Sequence, residues 1–173
     1  MTSLDLRLYY HRDMRMGRVV AMAAVLVAAQ SRAAFADLTG FIGANTTPAN
    51  REVLGGALGF GLLIVGFEFE YAYTPDDVKA SAPSLTTGMG NVLLQTPFPV
   101  AGFQPYVTAG GGLYHEALAD HTDTSLGTNL GAGVKFTLAG PLRLRVDYRV
   151  FKLGSGALYS PAHRVYVGLN LTF

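Results

Sequence analysis

A period of two runs through this chain and narrows what it can fold into. From Asp37 onward, apolar side chains recur at every second position in runs of about ten residues, separated by polar or glycine-rich breaks. In extended backbone, successive side chains point to opposite faces, so each run presents one apolar and one mixed face. The last run shows this best. Val165, Val167, Leu169, Leu171 and Phe173 fall on one face, and Arg164, Tyr166, Gly168, Asn170 and Thr172 on the other. Leu142, Leu144, Val146, Tyr148 and Val150 likewise oppose Arg143, Arg145, Asp147 and Arg149, and Phe67, Phe69, Tyr71 and Tyr73 oppose Glu68 and Glu70. Ala132, Val134, Phe136 and Leu138 oppose Gly133, Lys135 and Thr137, while Pro105, Val107, Ala109 and Leu113 oppose Tyr106, Thr108, Gly110, Gly112 and Tyr114.

The pattern predicts strands near residues 38–45, 54–62, 65–74, 85–96, 104–116, 125–138, 142–152 and 163–173. In the first, second and fourth, Gly40, Gly43, Gly55, Gly56, Gly59, Gly61, Gly88 and Gly90 blur the alternation. The breaks alternate in kind. Leu63-Ile64, Pro97–Phe103 and Ala139-Gly140-Pro141 are short or apolar, whereas Asn45–Val53, Pro75–Ser84, Ala117–Thr124 and Gly154–Ala162 are longer and polar. Short turns at one end and longer loops at the other are the asymmetry of a transmembrane barrel. The expected fold is all-β: an eight-stranded antiparallel up-and-down transmembrane β-barrel.

Composition bears on this in two ways. Half the residues are hydrophobic and 14% are charged, against about a quarter charged in soluble domains, yet no apolar stretch approaches the about 20 residues of a membrane helix. Ten phenylalanines and nine tyrosines, with no tryptophan, suit strands with aromatic anchors. The absence of cysteine excludes a disulfide framework and thiol chemistry. The formal charge of +1 gives no support to nucleic-acid binding, and it is weighted toward the N-terminus.

There, Arg12, Arg15 and Arg18 precede the apolar run Val19–Ala29, and Ala34-Phe35-Ala36 follows as a small-x-small cleavage site. Residues 1–36 therefore read as a cleavable signal peptide and 37–173 as the barrel. Asp5 and Asp13 do not belong in a cationic export segment, so translation is expected to start at Met14 or Met16.

Alternation alone does not say which face looks inward, and a soluble periplasmic carrier of lipocalin type would put the apolar face inside. The export signal, the aromatic ends of the apolar faces and the mixture of glycine, threonine and both charge signs opposite them favour the bilayer. The bacterial outer membrane is the expected location.

The terminal run Val165-Tyr166-Val167-Gly168-Leu169-Asn170-Leu171-Thr172-Phe173 resembles the C-terminal assembly signal of outer-membrane proteins, with a final Phe and apolar residues at every second position before it. Phe103-Gln104-Pro105-Tyr106-Val107-Thr108-Ala109-Gly110-Gly111-Gly112 resembles the fifth-strand region of small opacity-type and OmpA-like barrels, the "porin family" of outer-membrane β-barrel domains. The resemblance covers residues 37–173. A monomer in outer-membrane lipid is expected, and the resemblance implies delivery by periplasmic chaperones and insertion by the β-barrel assembly machinery, with Val165, Val167, Leu169, Leu171 and Phe173 as the assembly signal.

An eight-stranded barrel has an interior just wide enough for side chains. Glu68, Glu70, Lys135, Arg143, Arg145, Asp147 and Arg149 are expected to form an ion-pair network there, since the third and seventh strands lie on opposite walls. That arrangement predicts a filled lumen with no wide pore and a structural or surface-interaction role without enzymatic activity. The residues best suited to catalysis are His115, Glu116, Asp120, His121, Asp123 and Ser125 near one rim, which would make the protein a lipid-modifying enzyme instead. They lack a motif at defined spacing, and they match neither a zinc nor a calcium pattern, so no cofactor or metal is expected. Gly110-Gly111-Gly112 lies within a strand pattern with no helix after it, which excludes a phosphate loop. His163 beside Arg164 reads as an interfacial residue.

Overall fold

The computed structural model describes residues 34–173 as eight strands: β1 (Ala34–Asn45), β2 (Arg51–Leu62), β3 (Val65–Thr74), β4 (Ser84–Gln95), β5 (Phe103–Leu118), β6 (His121–Ala139), β7 (Leu142–Lys152) and β8 (Ala162–Thr172). Residues 1–33, which hold most of the expected signal peptide with its arginines and both candidate start methionines, lie outside the described residues.

The strands close in sequence order into an antiparallel barrel. β8 returns to β1 with the register Asp37↔Thr172 to Asn45↔Arg164, so no strand edge is left unpaired around the wall. Two-residue turns at Leu63-Ile64 and Gly140-Pro141 and the segment 96–102 lie at one end. The connections 46–50, 75–83, 119–120 and 153–161 lie at the other, which is the outer end by the usual sidedness of such barrels.

Which face looks where is unambiguous. Leu58, Phe69, Val107, Leu130 and Leu169 are exposed on the outside, while Glu70, Arg145, Arg149, Arg164 and Asn170 are buried inside. The apolar-inward arrangement of a soluble carrier is thereby excluded. Outward-facing aromatics gather at two levels. Phe60 stacks on Phe67 at 5.2 Å and Phe103 meets Phe136 edge-on at 5.1 Å near the inner end, and Tyr71, Tyr73 and Tyr148 stand nearer the outer end.

Glycine weakens the alternation but serves the packing. At Gly133 a β-carbon would collide with the Tyr106 ring, and at Gly55 with the ring of Phe41, so these positions admit large side chains from neighbouring strands into the lumen.

Three boundaries differ from the sequence expectation. The polar segment Ala117–Thr124 is not a loop: β5 and β6 continue to Leu118 and His121 around Ala119-Asp120, pairing Glu116↔Asp123 and Leu118↔His121. Above the bilayer both faces of a hairpin meet polar surroundings, so its pairing persists after the apolar alternation ends. β2 begins at Arg51, inside the expected loop Asn45–Val53. β1 begins at Ala34, and Ala36 exchanges two backbone hydrogen bonds of 2.9 Å with Phe173.

Candidate functional site

The inward faces of β3, β5, β7 and β8 build a charged cluster across the barrel. Glu68 and Glu70 come from β3, and Arg145, Asp147 and Arg149 from β7, four strands away in the ring. Arg145 donates to Glu68 through both terminal nitrogens, with Nη2 at 3.3 Å from Oε1, and to Asp147 at 3.0 Å. Arg149 reaches Glu68 at 2.8 Å, Glu70 at 3.2 Å and Asp147 at 3.0 Å. Long guanidinium side chains make this span possible, because their several donors can serve two walls at once.

Four residues beyond those expected from the sequence belong to this network. Arg164 of β8 donates to Glu70 at 3.2 Å and to Thr87 at 3.2 Å. The Tyr166 hydroxyl donates to Glu70 at 3.2 Å, and the Tyr106 hydroxyl donates to Asp147 while accepting from Arg145 Nε at 2.6 Å. The Arg145 guanidinium also lies over both rings, 5.0 Å from the Tyr106 centroid and 5.6 Å from that of Tyr166. Asp37 of β1 pairs with Lys135 at 2.8 Å, closer to the inner end. Arg143 stands apart. It is half-buried and donates to Gln104 Oε1 at 2.7 Å, because it is the first inward residue of β7 and sits at the inner mouth.

The buried lumen thus holds Lys135, Arg145, Arg149 and Arg164 against Asp37, Glu68, Glu70 and Asp147, a neutral set. Outward of it, Leu85, Met89, Tyr114, Phe151, Leu153 and Ala162 pack into an apolar layer inside the barrel. Ion pairs thus occupy the middle of the barrel, with apolar side chains packed outward of them.

Above that layer, side chains tie the outer connections down. The buried Arg51 guanidinium donates to the carbonyls of Thr47 at 3.1 Å, Pro75 at 3.0 Å and Pro83, joining the β1–β2 and β3–β4 connections. Glu116 Oε1 accepts from Leu158 N at 2.6 Å and lies 3.1 Å from His121 Nε2. Tyr114 donates to Asp123. Sequence alone held no signal for Arg51.

The rim residues weighed for catalysis are divided between faces. Glu116 accepts from Leu158 in the β7–β8 connection and lies against His121, and Asp123 accepts from Tyr114, whereas His115 turns outward to Thr124 at 2.7 Å and Asp120 is exposed in the turn. Among the described residues no histidine ring is hydrogen-bonded to Ser125, and no three His, Asp or Glu side chains converge to hold a metal. His163 stacks on Tyr148 at 6.1 Å and meets its hydroxyl at 2.8 Å on the outward face. The terminal residues Val165, Val167, Leu169, Leu171 and Phe173 all face outward and are exposed.

Comparisons with known proteins agree with this architecture. The N-terminal β-barrel domain of Pseudomonas aeruginosa OprF matches with a TM-score of 0.61 at 19% identity, covering 80% of this chain and 97% of that one. Neisserial surface protein A matches with a TM-score of 0.57 at 15% identity, covering 80% and 94%. The Yersinia pestis outer membrane protein Ail, in a phospholipid bilayer nanodisc, matches with a TM-score of 0.51 at 13% identity, covering 79% and 99%. No curated protein sequence matches the chain. These identities speak for the fold. The profile of the outer membrane protein beta-barrel domain spans residues 18–173, nearly the whole sequence, and with it the chain belongs to that family of bacterial outer-membrane barrels.

Proposed function

We propose that the protein is a non-enzymatic barrel with a structural or surface-interaction role, and that its lumen is filled and is not a wide pore. The observation that carries this reading is the neutral ion-pair cluster spanning the axis between Glu68 on β3 and Arg145 and Arg149 on β7. A polar lumen whose charges pair with one another serves to satisfy buried charge, the structural use of such a network. The apolar layer around Met89 and Phe151 adds a second obstruction. At the rim, the separation of His115 from Ser125 and the commitment of Glu116 to Leu158 argue for loop anchoring over nucleophilic catalysis. Assembly would proceed through periplasmic chaperones and the β-barrel assembly machinery, reading the outward-facing terminal residues of β8 and Phe173.

Planar-bilayer recording on the refolded barrel tests the sealed lumen, with no sustained conductance steps expected. Stable openings comparable with those of a diffusion porin would reject it. Lipid A mass spectra from cells with and without the gene are expected to be identical, and a gene-dependent change in acylation would replace this reading with the enzymatic one.

A further inference from the structure

The inner end of the barrel is uneven. The β2–β3 and β6–β7 turns have two residues each, but the β4–β5 connection runs from Thr96 to Gly102. It reads Thr-Pro-Phe-Pro-Val-Ala-Gly, and no ionisable side chain lies between Gln95 and Gln104. Phe98 and Val100 are 68% and 70% exposed. A single exposed apolar side chain needs no explanation, but here Phe103 and Leu138 continue the exposed apolar surface from the turn onto the lipid-facing wall.

The segment has a defined shape. Val100 and Phe103 exchange backbone hydrogen bonds of 2.8 and 3.0 Å across Ala101 and Gly102, both with positive φ, as in the type I′ turns that close tight hairpins. Gln104 Nε2 donates to the Thr96 carbonyl at 2.8 Å, and Thr137 N donates to that of Gly102 at 2.9 Å. Phe98 and Val100 are therefore displayed by a fixed turn.

Their depth follows from strand geometry. On β5 the lipid-facing residues run Phe103, Pro105, Val107, Ala109, Gly111 and Leu113. That stretch of about ten residues, at about 3.3 Å each and tilted by about 40°, rises about 25 Å, the height of the apolar band of an outer-membrane barrel. The band thus ends near Phe103, and the turn below it falls at the headgroup level of the inner leaflet. Aromatic residues are favoured there, and neutral, proline-flanked Phe98 suits that zone better than bulk water.

We propose that Thr96–Gly102 is an interfacial anchor that seats Phe98 and Val100 in the headgroup region of the inner leaflet, with phospholipid as its partner. It would hold the β4–β6 side of the barrel, which also carries the long outer hairpin, at a fixed depth.

Because the chain contains no tryptophan, Phe98→Trp creates a single fluorescent reporter. The folded barrel is placed in phosphatidylcholine vesicles whose acyl chains carry bromine either near the headgroup or near mid-chain. Lys79→Trp in the outer 75–83 connection and Val107→Trp on the lipid face mark water and bilayer core. The expected result is an emission maximum between those two controls, with stronger quenching by the shallow bromines than by the deep ones. Emission and quenching equal to those of Lys79→Trp overturn the anchor, and a response equal to that of Val107→Trp overturns its placement at the headgroups. Val100→Trp supplies the same readout if Phe98→Trp does not fold.

Discussion

Arg145 and Glu68, 77 residues apart in the chain, meet inside the barrel through two hydrogen bonds from the guanidinium to the carboxylate. Neither side chain is replaceable by its neighbours, since Arg149 already serves Glu68, Glu70 and Asp147. Removing one partner unbalances the buried set, since Glu68 would keep only Arg149 and Arg145 only Asp147, and a broken buried pair is destabilising by up to about 3–5 kcal/mol in a dry interior and by less where water reaches the lumen. Glu68→Ala and Arg145→Ala are each expected to lower the unfolding midpoint of the refolded barrel in urea well below that of Lys79→Ala, in an outer connection. Arg143→Ala, at the inner mouth, is expected to stay near the loop variant. Equal midpoints for all four would discard the network as a source of stability.

The eight strands were legible because a bilayer-facing wall enforces alternation, as in Leu142–Val150 and Val165–Phe173. Where both faces of a strand meet polar surroundings, that enforcement stops, so the segment His121–Thr124 carried no signal of the pairing it makes. Side-chain facing was legible in the same way, and it put Glu68, Glu70, Arg145 and Arg149 on the inward wall. Depth and tilt were not, because they depend on the register between strands. That is why Arg143 shares a polar face in the sequence with residues it does not reach, while Arg164, Tyr106 and Tyr166 lie on polar faces with nothing in the sequence to join them to the network.

Gly133 is expected to tolerate no larger side chain. A β-carbon there would meet the Tyr106 ring and, at 2.6 Å, the carbonyl of Val146, and Tyr106 in turn holds Arg145 and Asp147. Overpacking of this kind destabilises by about 1–3 kcal/mol. Gly133→Val should therefore reduce the urea midpoint, whereas Gly90→Ala, whose added carbon meets nothing closer than 3.8 Å, should leave it nearly unchanged. The reverse order would contradict the packing described for the lumen.

Export processing is expected to release a mature chain beginning at Asp37, because the cationic segment, apolar run and Ala34-Phe35-Ala36 form one signal. Cleavage there removes Ala36, the backbone partner of Phe173. The freed groups lie at the inner rim, where water can satisfy them, so the loss is compatible with a stable barrel. Intact-mass measurement on protein from outer-membrane fractions checks the start, and retention of residues 19–36 would reject it.

Phe173 is 77% exposed and closes the outward row of β8. Phe173→Asp places a charge on that face next to Leu171 and removes the terminal aromatic of the assembly signal. The yield of folded, heat-modifiable barrel in outer-membrane fractions is expected to fall sharply, with unfolded chain accumulating in the periplasm. An undiminished yield would remove the terminal residue from any account of assembly.

Glu116 ties the β7–β8 connection to the outer hairpin. Its carboxylate is almost fully buried yet accepts from the backbone of Leu158 at 2.6 Å, 42 residues away, and lies beside His121. The connection from Leu153 to Pro161 is otherwise held by Leu153 N and O to the Ser160 hydroxyl and by Leu153 in the apolar layer, so one end is pinned from below and the middle by Glu116. Hydrogen bonds to a charged acceptor are the stronger kind, and losing this one leaves the Leu158 amide to water and the segment free to open. Glu116→Ala is therefore expected to make the folded barrel susceptible to protease cleavage between Gly154 and Pro161 without lowering its heat-modifiable yield. Glu116→Gln, which keeps a carbonyl oxygen for the Leu158 amide, should be cut more slowly. Cleavage of the alanine variant no faster than that of the unaltered barrel would show that the connection is held by Leu153 and the apolar layer alone.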